Sequence, residues 1–382
     1  MVRIHPFPPA YNPVDPEKLQ PRHFPPSSTP AVVHVPWTDG QSFPKGVREQ
    51  FVRSAEQFPH RFWIVDNSGS MSICDGTRLV KTQAGQLRRA QCTRWSELQE
   101  TVRFHAEAAA ALRAPTEFIM LNPSSTTPQS VLVGGGNVAP EAMAAVAAAE
   151  VKHANELMET SPCGRTPLCR HIKTITARVR SMAETLRSRN QRVAVVIATD
   201  GEPTDGSVAD ALRQMRDLPV WVVVRLCTDK PSIINYWNAI DSEVELDMDV
   251  LDDWRAEAGE IVRHNRWINY GMPLHRLREF GTALKIYDLL EEKRLAATEV
   301  RDYCALLFGV RTSALPEPDV DWHGFLQVVY ELQAGPGLSV HPTADPITGV
   351  EAHWVSLPKT LAAFRRGKRG ARNPAQRGCL CM

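Results

Sequence analysis

The chain has 382 residues, of which 43% are hydrophobic, and this is enough to bury the core of one large domain with extensions. Its formal net charge of +1 provides no basic field of the kind that attracts nucleic acid, so we expect no nucleic-acid partner. The eight cysteines include no C-x-x-C pair and nothing resembles a signal peptide, so we expect a cytoplasmic protein with reduced thiols.

Residues 1–57 are predicted to form a proline-rich, extended N-terminal segment. Twelve of the chain's 29 prolines lie between Pro6 and Pro59, and such sequences are typically extended and have no core of their own. The segment is either a docking peptide for aromatic-lined grooves or an arm that lies along the domain or stays disordered. Within it, Val32–Pro36 has the pattern of a short strand.

The strand around which the chain is organised is Phe62–Val65, four consecutive apolar residues followed at once by polar side chains. A continuous apolar run of this length is typical of a parallel strand that is covered on both faces. Beyond it, Gly69 lets the loop turn tightly, and we expect Asp66, Ser68 and Ser70 to converge on one point.

Helices and strands alternate after this first strand. A turn is predicted at Asp75–Arg78, and Thr93 is predicted to cap a helix from Arg94 to about Arg113. The strands Glu117–Leu121 and Ser130–Val133 are close enough in sequence to form an antiparallel hairpin. The other predicted elements have buried-strand or amphipathic-helix patterns: helices Pro140–Met158, Leu168–Leu186, Ser207–Leu218 and Asp319–Leu332, and strands Val193–Ala198 and Val220–Val224.

The sequence after the last of these strands is acidic and less regular. The stretch from Asp229 to Asp253 is expected to be a solvated helix face, with a low-affinity calcium patch as the alternative. Glu260–Val262 is a weak candidate for the last strand of the sheet.

This alternation predicts an α/β fold with a doubly wound, mostly parallel sheet and helices on both faces. If the hairpin strands lie on one side of Phe62–Val65 and Val193–Ala198 on the other, the winding direction changes between the two. Open α/β sheets bind ligands at such a switch point, beyond the carboxyl ends of the strands. The domain is predicted over residues 58–265, followed by a mainly helical extension over 266–360 and a basic, disordered tail over 361–382.

Two further segments carry polar residues that complement those of the first loop. In Gly164–Leu168, Thr166 precedes a proline at a predicted helix start, and Thr199-Asp200-Gly201 ends an apolar strand. In this order, the sequences D-x-S-x-S, T-P and T-D-G resemble the von Willebrand factor A family and its metal-ion-dependent adhesion site. The resemblance covers about residues 60–230 and implies a Rossmann-like fold of the von Willebrand factor A type.

The resemblance also implies a set of metal ligands. One Mg²⁺ or Mn²⁺ would be held directly by Ser68, Ser70 and Thr166, and Asp66 and Asp200 would bind it mostly through water. A small hard cation prefers oxygen ligands and releases water reluctantly, so a first shell of neutral hydroxyls leaves its charge under-neutralised. In the family, a Glu or Asp of a partner protein completes the coordination, which makes the site a recognition device.

We therefore expect a metal-dependent protein-interaction module and not an enzyme, because the chain contains no recognisable nucleophile–base pair, Walker motif or H-E-x-x-H sequence. Two other functions stay open: a partner-binding subunit of a metal-chelatase or ATPase complex, and metal-assisted hydrolysis by Asp66. Hydrolases of the haloacid dehalogenase type are disfavoured, because their general acid would stand where Ser68 is. In the simplest alternative, Ser68 and Ser70 merely cap a turn, and Asp200-Gly201 is an ordinary turn.

The last eighteen residues suggest a contact with membranes. Arg365–Arg372 is strongly basic, and Cys379-Leu380-Cys381-Met382 has the outline of a prenylation box whose Met usually specifies farnesyl. One lipid chain and a polybasic patch together hold a protein on an anionic membrane, although no apolar run approaches the roughly 20 residues that span a bilayer. Lipidation of Cys379 is therefore one hypothesis. A basic disordered tail is the other, because Cys381 departs from the usual aliphatic residue.

Overall fold

A six-stranded, mostly parallel sheet lies at the centre of the residues that the computed structural model describes, which are 43–81, 87–136, 139–334 and 340–365. The strands in chain order are β1 (His60–Val65), β2 (Gly76–Lys81), β3 (Leu87–Cys92), β4 (Thr116–Met120), β5 (Ser130–Val133), β6 (Val193–Thr199), β7 (Val220–Leu226), β8 (Met248–Leu251), β9 (Thr343–Ala344) and β10 (Glu351–Ala352). The helices are α1 (Lys45–Gln57), α2 (Arg94–Leu112), α3 (Met143–Met158), α4 (Leu168–Ser188), α5 (Val208–Arg213), α6 (Pro231–Val244), α7 (Trp254–His264), α8 (Met272–Phe280), α9 (Lys285–Glu292), α10 (Ala297–Phe308), α11 (Trp322–Ala334) and α12 (Leu357–Arg365).

The strands of the central sheet are ordered β5-β4-β1-β6-β7-β8. Strand β1 pairs in parallel with β4 on one side and with β6 on the other, while β4 and β5 form an antiparallel hairpin. The winding direction therefore changes between β1 and β6, whose carboxyl ends meet where Val65 pairs with Ala198. The predicted α/β class, the mostly parallel sheet and the position of the switch point are confirmed.

Successive residues of β1 pack on opposite faces of the sheet, because neighbouring side chains of a strand point in opposite directions. Phe62 and Ile64 belong to a buried cluster with residues of α4, α5 and α6. Trp63 and Val65 belong to a second cluster with residues of α2 and α3. Helices therefore cover both faces of the sheet, which explains why this strand is an uninterrupted apolar run.

A third buried cluster joins α1 to the helices that follow β8. Val47 and Phe51 of α1 are part of it, and the ring centroid of Phe51 lies 5.2 Å from that of Phe280 in α8. The N-terminal helix is therefore packed against the C-terminal helices. In sequence, the two are separated by some 200 residues, which form the central sheet and the helices that cover it.

The prediction that residues 1–57 are extended is wrong for residues 45–57, which form α1. The helix begins directly after Pro44, and no proline lies within it. Its apolar side chains Val47 and Phe51 are buried against the C-terminal helices, and this distant packing stabilises the helix. Residues 1–42, including the predicted strand at Val32–Pro36, lie outside the described part of the chain.

Gly46 marks a close approach between α1 and α10. A methyl group at this position would lie 1.7 Å from the carbonyl oxygen of Leu306 and 2.7 Å from the amide nitrogen of Gly309. We expect Gly46→Ala to force the two backbones apart. This should lower the free energy of unfolding by about 1–3 kcal/mol, the usual cost of inserting a methyl group into close packing. The measurement is urea denaturation followed by tryptophan fluorescence.

The matched control is Gly259→Ala in α7, where nothing lies within 4 Å of the added methyl group. Alanine has the higher helix propensity, so this variant should gain about 0.5–1 kcal/mol. If the two variants unfold at the same urea concentration, the close packing of α1 on α10 is refuted.

The last parallel strand differs from its prediction. Strand β8 pairs with β7, whereas the candidate Glu260–Val262 lies within α7. An acidic residue fits in β8 because Asp249 forms an ion pair with the buried Arg278, with 3.0 Å between Oδ1 and Nη2. The acidic stretch is not a uniformly solvated helix face either, since Asp249 and Asp252 are buried.

Other predicted elements are present with changed limits. Thr93 caps α2 as predicted, because its hydroxyl accepts a hydrogen bond from the Ser96 amide at 3.0 Å. The turn predicted at Asp75–Arg78 is instead the start of a β2–β3 hairpin, whose arginine-rich strands lack the apolar alternation that would have indicated it. The helix predicted over Ser207–Leu218 ends at Arg213.

Glu279 of α8 lies at the centre of a buried polar cluster. Its carboxylate accepts hydrogen bonds from Arg276 Nη1 at 2.8 Å, Arg225 Nε at 3.2 Å and His105 Nε2 at 3.0 Å. Burial lowers the pKa of His105 to about 4, so its imidazole is neutral near pH 7 and Nε2 carries the proton that is donated. The carboxylate thus connects α8 to α2 and β7.

Among the residues that the structure describes, no helix is long and apolar enough to cross a bilayer. The cysteines of these segments, at positions 74, 92, 163, 169, 227 and 304, are free thiols. Cys379 and the basic sequence after Arg365 lie outside the described residues, so their lipidation stays a prediction.

Candidate metal centre

Asp66 is the first residue after β1, and its side chain is fully buried. Its amide donates to the carbonyl of Ala198 at 2.9 Å, which holds the start of the loop against β6. Its Oδ1 accepts a hydrogen bond from the Ser68 amide at 2.8 Å, and its Oδ2 accepts one from the Thr199 hydroxyl at 2.6 Å. Burial raises the pKa of Asp66, because it disfavours the charged form of the side chain. A bound cation would act in the opposite direction and favour the ionised carboxylate.

Ser68, Ser70 and Asp200 form a chain of hydrogen bonds from the β1 loop to the β6 loop. The two hydroxyl oxygens are 3.1 Å apart, and Ser70 Oγ donates to Asp200 Oδ1 at 2.8 Å. A short 3-10 turn, Gly69–Ser72, brings the second serine back toward the first. Ser68 and Asp200 are buried while Ser70 is exposed, so this group of oxygens reaches the protein surface.

Thr166 lies on a third loop, which is hydrogen-bonded to both of the others. The amide of Gly69 donates to the carbonyl of Gly164 at 3.2 Å, and the amide of Thr204 donates to the carbonyl of Thr166 at 2.9 Å. Thr166 is 7% exposed, and within the described residues its hydroxyl makes no hydrogen bond. The structure thus joins Asp66, Ser68, Ser70 and Asp200 directly and holds Thr166 beside them through the backbone.

Two asparagines fix the position of the Thr166 loop. The side chain of Asn67 donates to the carbonyl of Asn122 at 3.0 Å and accepts from the amide of that residue at 2.8 Å. The side chain of Asn122 in turn donates to the carbonyl of Arg165 at 2.7 Å. Gly164 is required here, because its φ is +82° and a methyl group would lie 2.8 Å from Asn122 Oδ1.

Arg94 is a member of the site that the sequence did not reveal. Its Nη1 donates to Asp200 Oδ2 at 2.6 Å, while Nε and Nη2 donate to the two carboxylate oxygens of Asp75. Burial alone would lower the pKa of Arg94, but the bonds to Asp75 and Asp200 raise it, so the side chain remains a cation. No local sequence pattern indicates this role, because it depends on the β2–β3 pairing that brings residue 75 beside the start of α2.

The site is rich in hard oxygen donors, as an Mg²⁺ or Mn²⁺ centre requires. Among the described residues, no group of three or more His, Cys, Asp or Glu side chains is arranged to hold a metal ion. The predicted centre has only two carboxylates, and its remaining oxygens are hydroxyls. In comparison with known proteins, no family model matches the chain and no curated protein matches it.

Proposed function

We propose that the protein is a divalent-metal-dependent interaction module of the von Willebrand factor A type. Ser68, Ser70 and Thr166 would hold one Mg²⁺ or Mn²⁺ directly, with Asp66 and Asp200 acting through water, and a Glu or Asp of a partner protein would complete the site. The observation that supports this most strongly is the Ser68–Ser70–Asp200 chain of oxygens, which reaches the surface at the switch point of the sheet.

The spacing of the oxygens fits a small octahedral ion. Ligands on adjacent corners of an octahedron with bonds of about 2.1 Å are about 3 Å apart. The separation of Ser68 Oγ and Ser70 Oγ is 3.1 Å, so both hydroxyls can occupy adjacent corners after small movements. Asp66 keeps unused lone pairs on both carboxylate oxygens, and these can accept hydrogen bonds from water on the ion.

The charges at the site favour an anionic partner group. Asp66 and Asp200 bring two negative charges, and Arg94 offsets one of them through its bond of 2.6 Å to Asp200. A divalent ion at this place therefore keeps residual positive charge and offers a Lewis-acidic position to a carboxylate from outside. Ser70, the exposed member of the site, marks where that carboxylate would enter.

The environment of Asp66 supports binding and not hydrolysis. A carboxylate that attacks a substrate needs an oxygen that the substrate can reach. The side chain of Asp66 is buried, and both of its oxygens already accept hydrogen bonds. A role as the partner-binding subunit of an ATPase or chelatase complex would use this same site and would differ only in the identity of the partner.

The test is calorimetric titration of Mg²⁺ and of Mn²⁺ into the wild type and into Thr166→Ala, with and without an acidic peptide. Thr166 is a member of none of the three apolar clusters, and its hydroxyl makes no hydrogen bond within the described residues, so the variant should fold, as circular dichroism can verify. Loss of a group that only orients the metal's ligands usually weakens metal binding about tenfold or more. Thr166 is a proposed direct ligand, so its loss should weaken metal binding at least as much. The control is Thr174→Ala, an exposed threonine of α4. Equal affinities in the three proteins would overturn the proposal.

A further inference from the structure

Three carboxyl groups from three different elements meet at one buried guanidinium, that of Arg278 in α8. Its Nη2 donates to Asp249 of β8 at 3.0 Å and to Glu291 of α9 at 3.2 Å. Its Nη1 donates to Glu257 of α7. The side chains of Arg278 and Glu257 are buried, and that of Glu291 is 23% exposed. One positive charge therefore faces three acidic groups in a place that is largely closed to water.

The other titratable groups around this cluster do little to balance its negative charge. Asp252, which follows β8, and Asp288 of α9 are acidic, and burial raises the pKa of the first to about 7 and that of the second to about 6. Burial also raises the pKa of Tyr270 well above its usual value, so this phenol is neutral. The nearby cation Lys285 is exposed and lies 3.5 Å from Asp288. The three carboxyl groups therefore depend on Arg278 for compensation.

Glu257 and Glu291 are hydrogen-bonded to each other through their carboxyl groups. An ionised carboxylate can only accept hydrogen bonds, so a bond between two carboxyl groups requires a proton on one of them. Two such groups in contact titrate together, because the second cannot ionise freely beside the first. The pair is therefore held together by a proton that lies between α7 and α9.

Glu291 is the member of the pair that donates this hydrogen bond. Burial raises the pKa of both groups, but the bond between them lowers the pKa of Glu257 and raises that of Glu291. For Glu291, Arg278 opposes the effect of burial, while the negative charges of Glu257 and Asp249 add to it, and the pKa is raised to about 9. The side chain of Glu291 is therefore protonated at neutral pH, and Glu257 accepts from it as a carboxylate.

We propose that Glu257 and Glu291 share one proton in the folded protein and that this carboxyl pair is a pH-sensitive contact between α7 and α9. While the proton is bound, the hydrogen bond joins the two helices. When the pH rises, Glu291 releases the proton to water, and two carboxylates then face each other across the contact. Like charges in a buried place repel strongly, and Arg278 cannot compensate three of them. The packing of α9 on α7 therefore loosens.

The direction of the pH effect follows from where the proton is bound. The folded protein keeps it up to about pH 9, whereas in the unfolded chain Glu291 loses it near the usual pKa of 4.5. The stabilisation is fully present below pH 4.5 and is lost as the pH rises toward about 9. Over this range one bound proton increases the equilibrium constant of unfolding about tenfold per pH unit. Asp252 acts in the same direction but only up to about pH 7, so the range above pH 7 isolates Glu291.

The experiment is urea denaturation of the full chain between about pH 7.5 and 8.5, followed by circular dichroism, with EDTA in the buffer so that metal binding makes no contribution. The test variant is Glu291→Gln. Its amide has the shape of a carboxyl group and can donate the same hydrogen bond to Glu257, but it does not titrate. The matched control is Glu292→Gln. Glu292 is the next residue of α9, is exposed, and lies 3.6 Å from Lys285.

We expect the unfolding constant of the wild type, divided by that of Glu291→Gln, to rise about tenfold per pH unit over this range. Groups that titrate in both proteins cancel from the ratio. The control Glu292→Gln should keep the pH dependence of the wild type. A ratio that does not change with pH, or an equal loss of pH dependence in the control, would overturn the proposal.

Glu257→Gln examines the other member of the pair. Its amide can donate to an ionised Glu291, so the same pH dependence should be lost in this variant, and it decides the proposal if Glu291→Gln does not fold. Because an amide preserves both the shape and the hydrogen bond, failure of both variants to fold would also overturn the proposal.

Hydrogen exchange shows whether the effect is located at α9. At about pH 9.5 the backbone amides of α9 should be less protected in the wild type than in Glu291→Gln, and the difference should be smaller at about pH 6, where the wild type keeps its proton. Comparison at one pH removes the effect of pH on the intrinsic exchange rates. Equal protection of α9 in the two proteins at both pH values would refute the opening of this contact.

Discussion

Asp66→Ala should lower the affinity of the protein for Mg²⁺ and Mn²⁺ by about ten- to a hundredfold, the usual effect of removing a group that orients a metal's ligands. The carboxylate holds the Ser68 amide at 2.8 Å, so it positions the loop that carries both serines. It also brings one of the two negative charges that face the proposed ion. Calorimetric titration of both metals measures the change.

Asp66→Asn separates charge from shape. The amide oxygen can still accept from the Ser68 amide, but the negative charge is gone, so we expect metal binding to weaken in this variant too. The control is Asp217→Asn. Asp217 is exposed and precedes β7, so it lies at the amino ends of the parallel strands, away from the proposed metal centre. Unchanged metal affinity in both folded Asp66 variants would show that this carboxylate has no part in metal binding.

Glu279→Ala should lower the free energy of unfolding by about 3–5 kcal/mol, because it removes one partner of a buried ion pair and leaves the others uncompensated. Arg276 and Arg225 are both buried, and both donate to this carboxylate. Burial alone would raise the pKa of Glu279, but Arg276 and the hydrogen bond from His105 hold it well below its usual value. The ionised carboxylate is therefore part of the folded state at neutral pH.

Urea denaturation of Glu279→Ala and of Glu260→Ala makes the comparison. Glu260 lies 3.5 Å from Arg263 on the surface of α7, and a surface pair of this kind contributes at most about 1 kcal/mol. A similar small loss in both variants would mean that the buried cluster does not couple α8 to α2 and β7.

The centre of the fold was predictable because its sequence pattern is local. Phe62–Val65 is an apolar run of the length and composition of a strand covered on both faces, and the structure places its residues in two clusters on opposite faces. The β4–β5 hairpin was predictable because only a short connection separates its two apolar runs. Thr93 correctly predicted the start of α2, because a capping hydroxyl lies next to the helix that it stabilises.

The elements that the sequence did not predict depend on contacts between distant residues. Helix α1 is stabilised by packing against α8 and α10, more than 200 residues later. The strand β8 contains Asp249, whose burial is explained only by its ion pair with Arg278. Local sequence patterns contain no information about such distant partners, and tertiary contacts override local propensity.

The same distinction applies to the candidate site. Asp66, Ser68 and Ser70 follow one strand and Asp200 follows another, so the topology of a parallel sheet brings them to one edge. Arg94 was missed because it reaches Asp200 from the first residue of α2, and the position of that helix depends on a hairpin with no apolar alternation. The bound metal itself remains a proposal.

The most direct measurement is anomalous diffraction from crystals of the full chain grown with Mn²⁺. The proposal predicts one anomalous peak that Ser68 Oγ, Ser70 Oγ and Thr166 Oγ1 surround at about 2.1–2.2 Å, close to the bond lengths of a small hard cation. Crystals of Asp66→Ala grown in the same way should show a much weaker peak or none. A wild-type crystal with no peak among these three hydroxyls, or with its strongest peak elsewhere, would contradict a metal centre at this edge of the sheet.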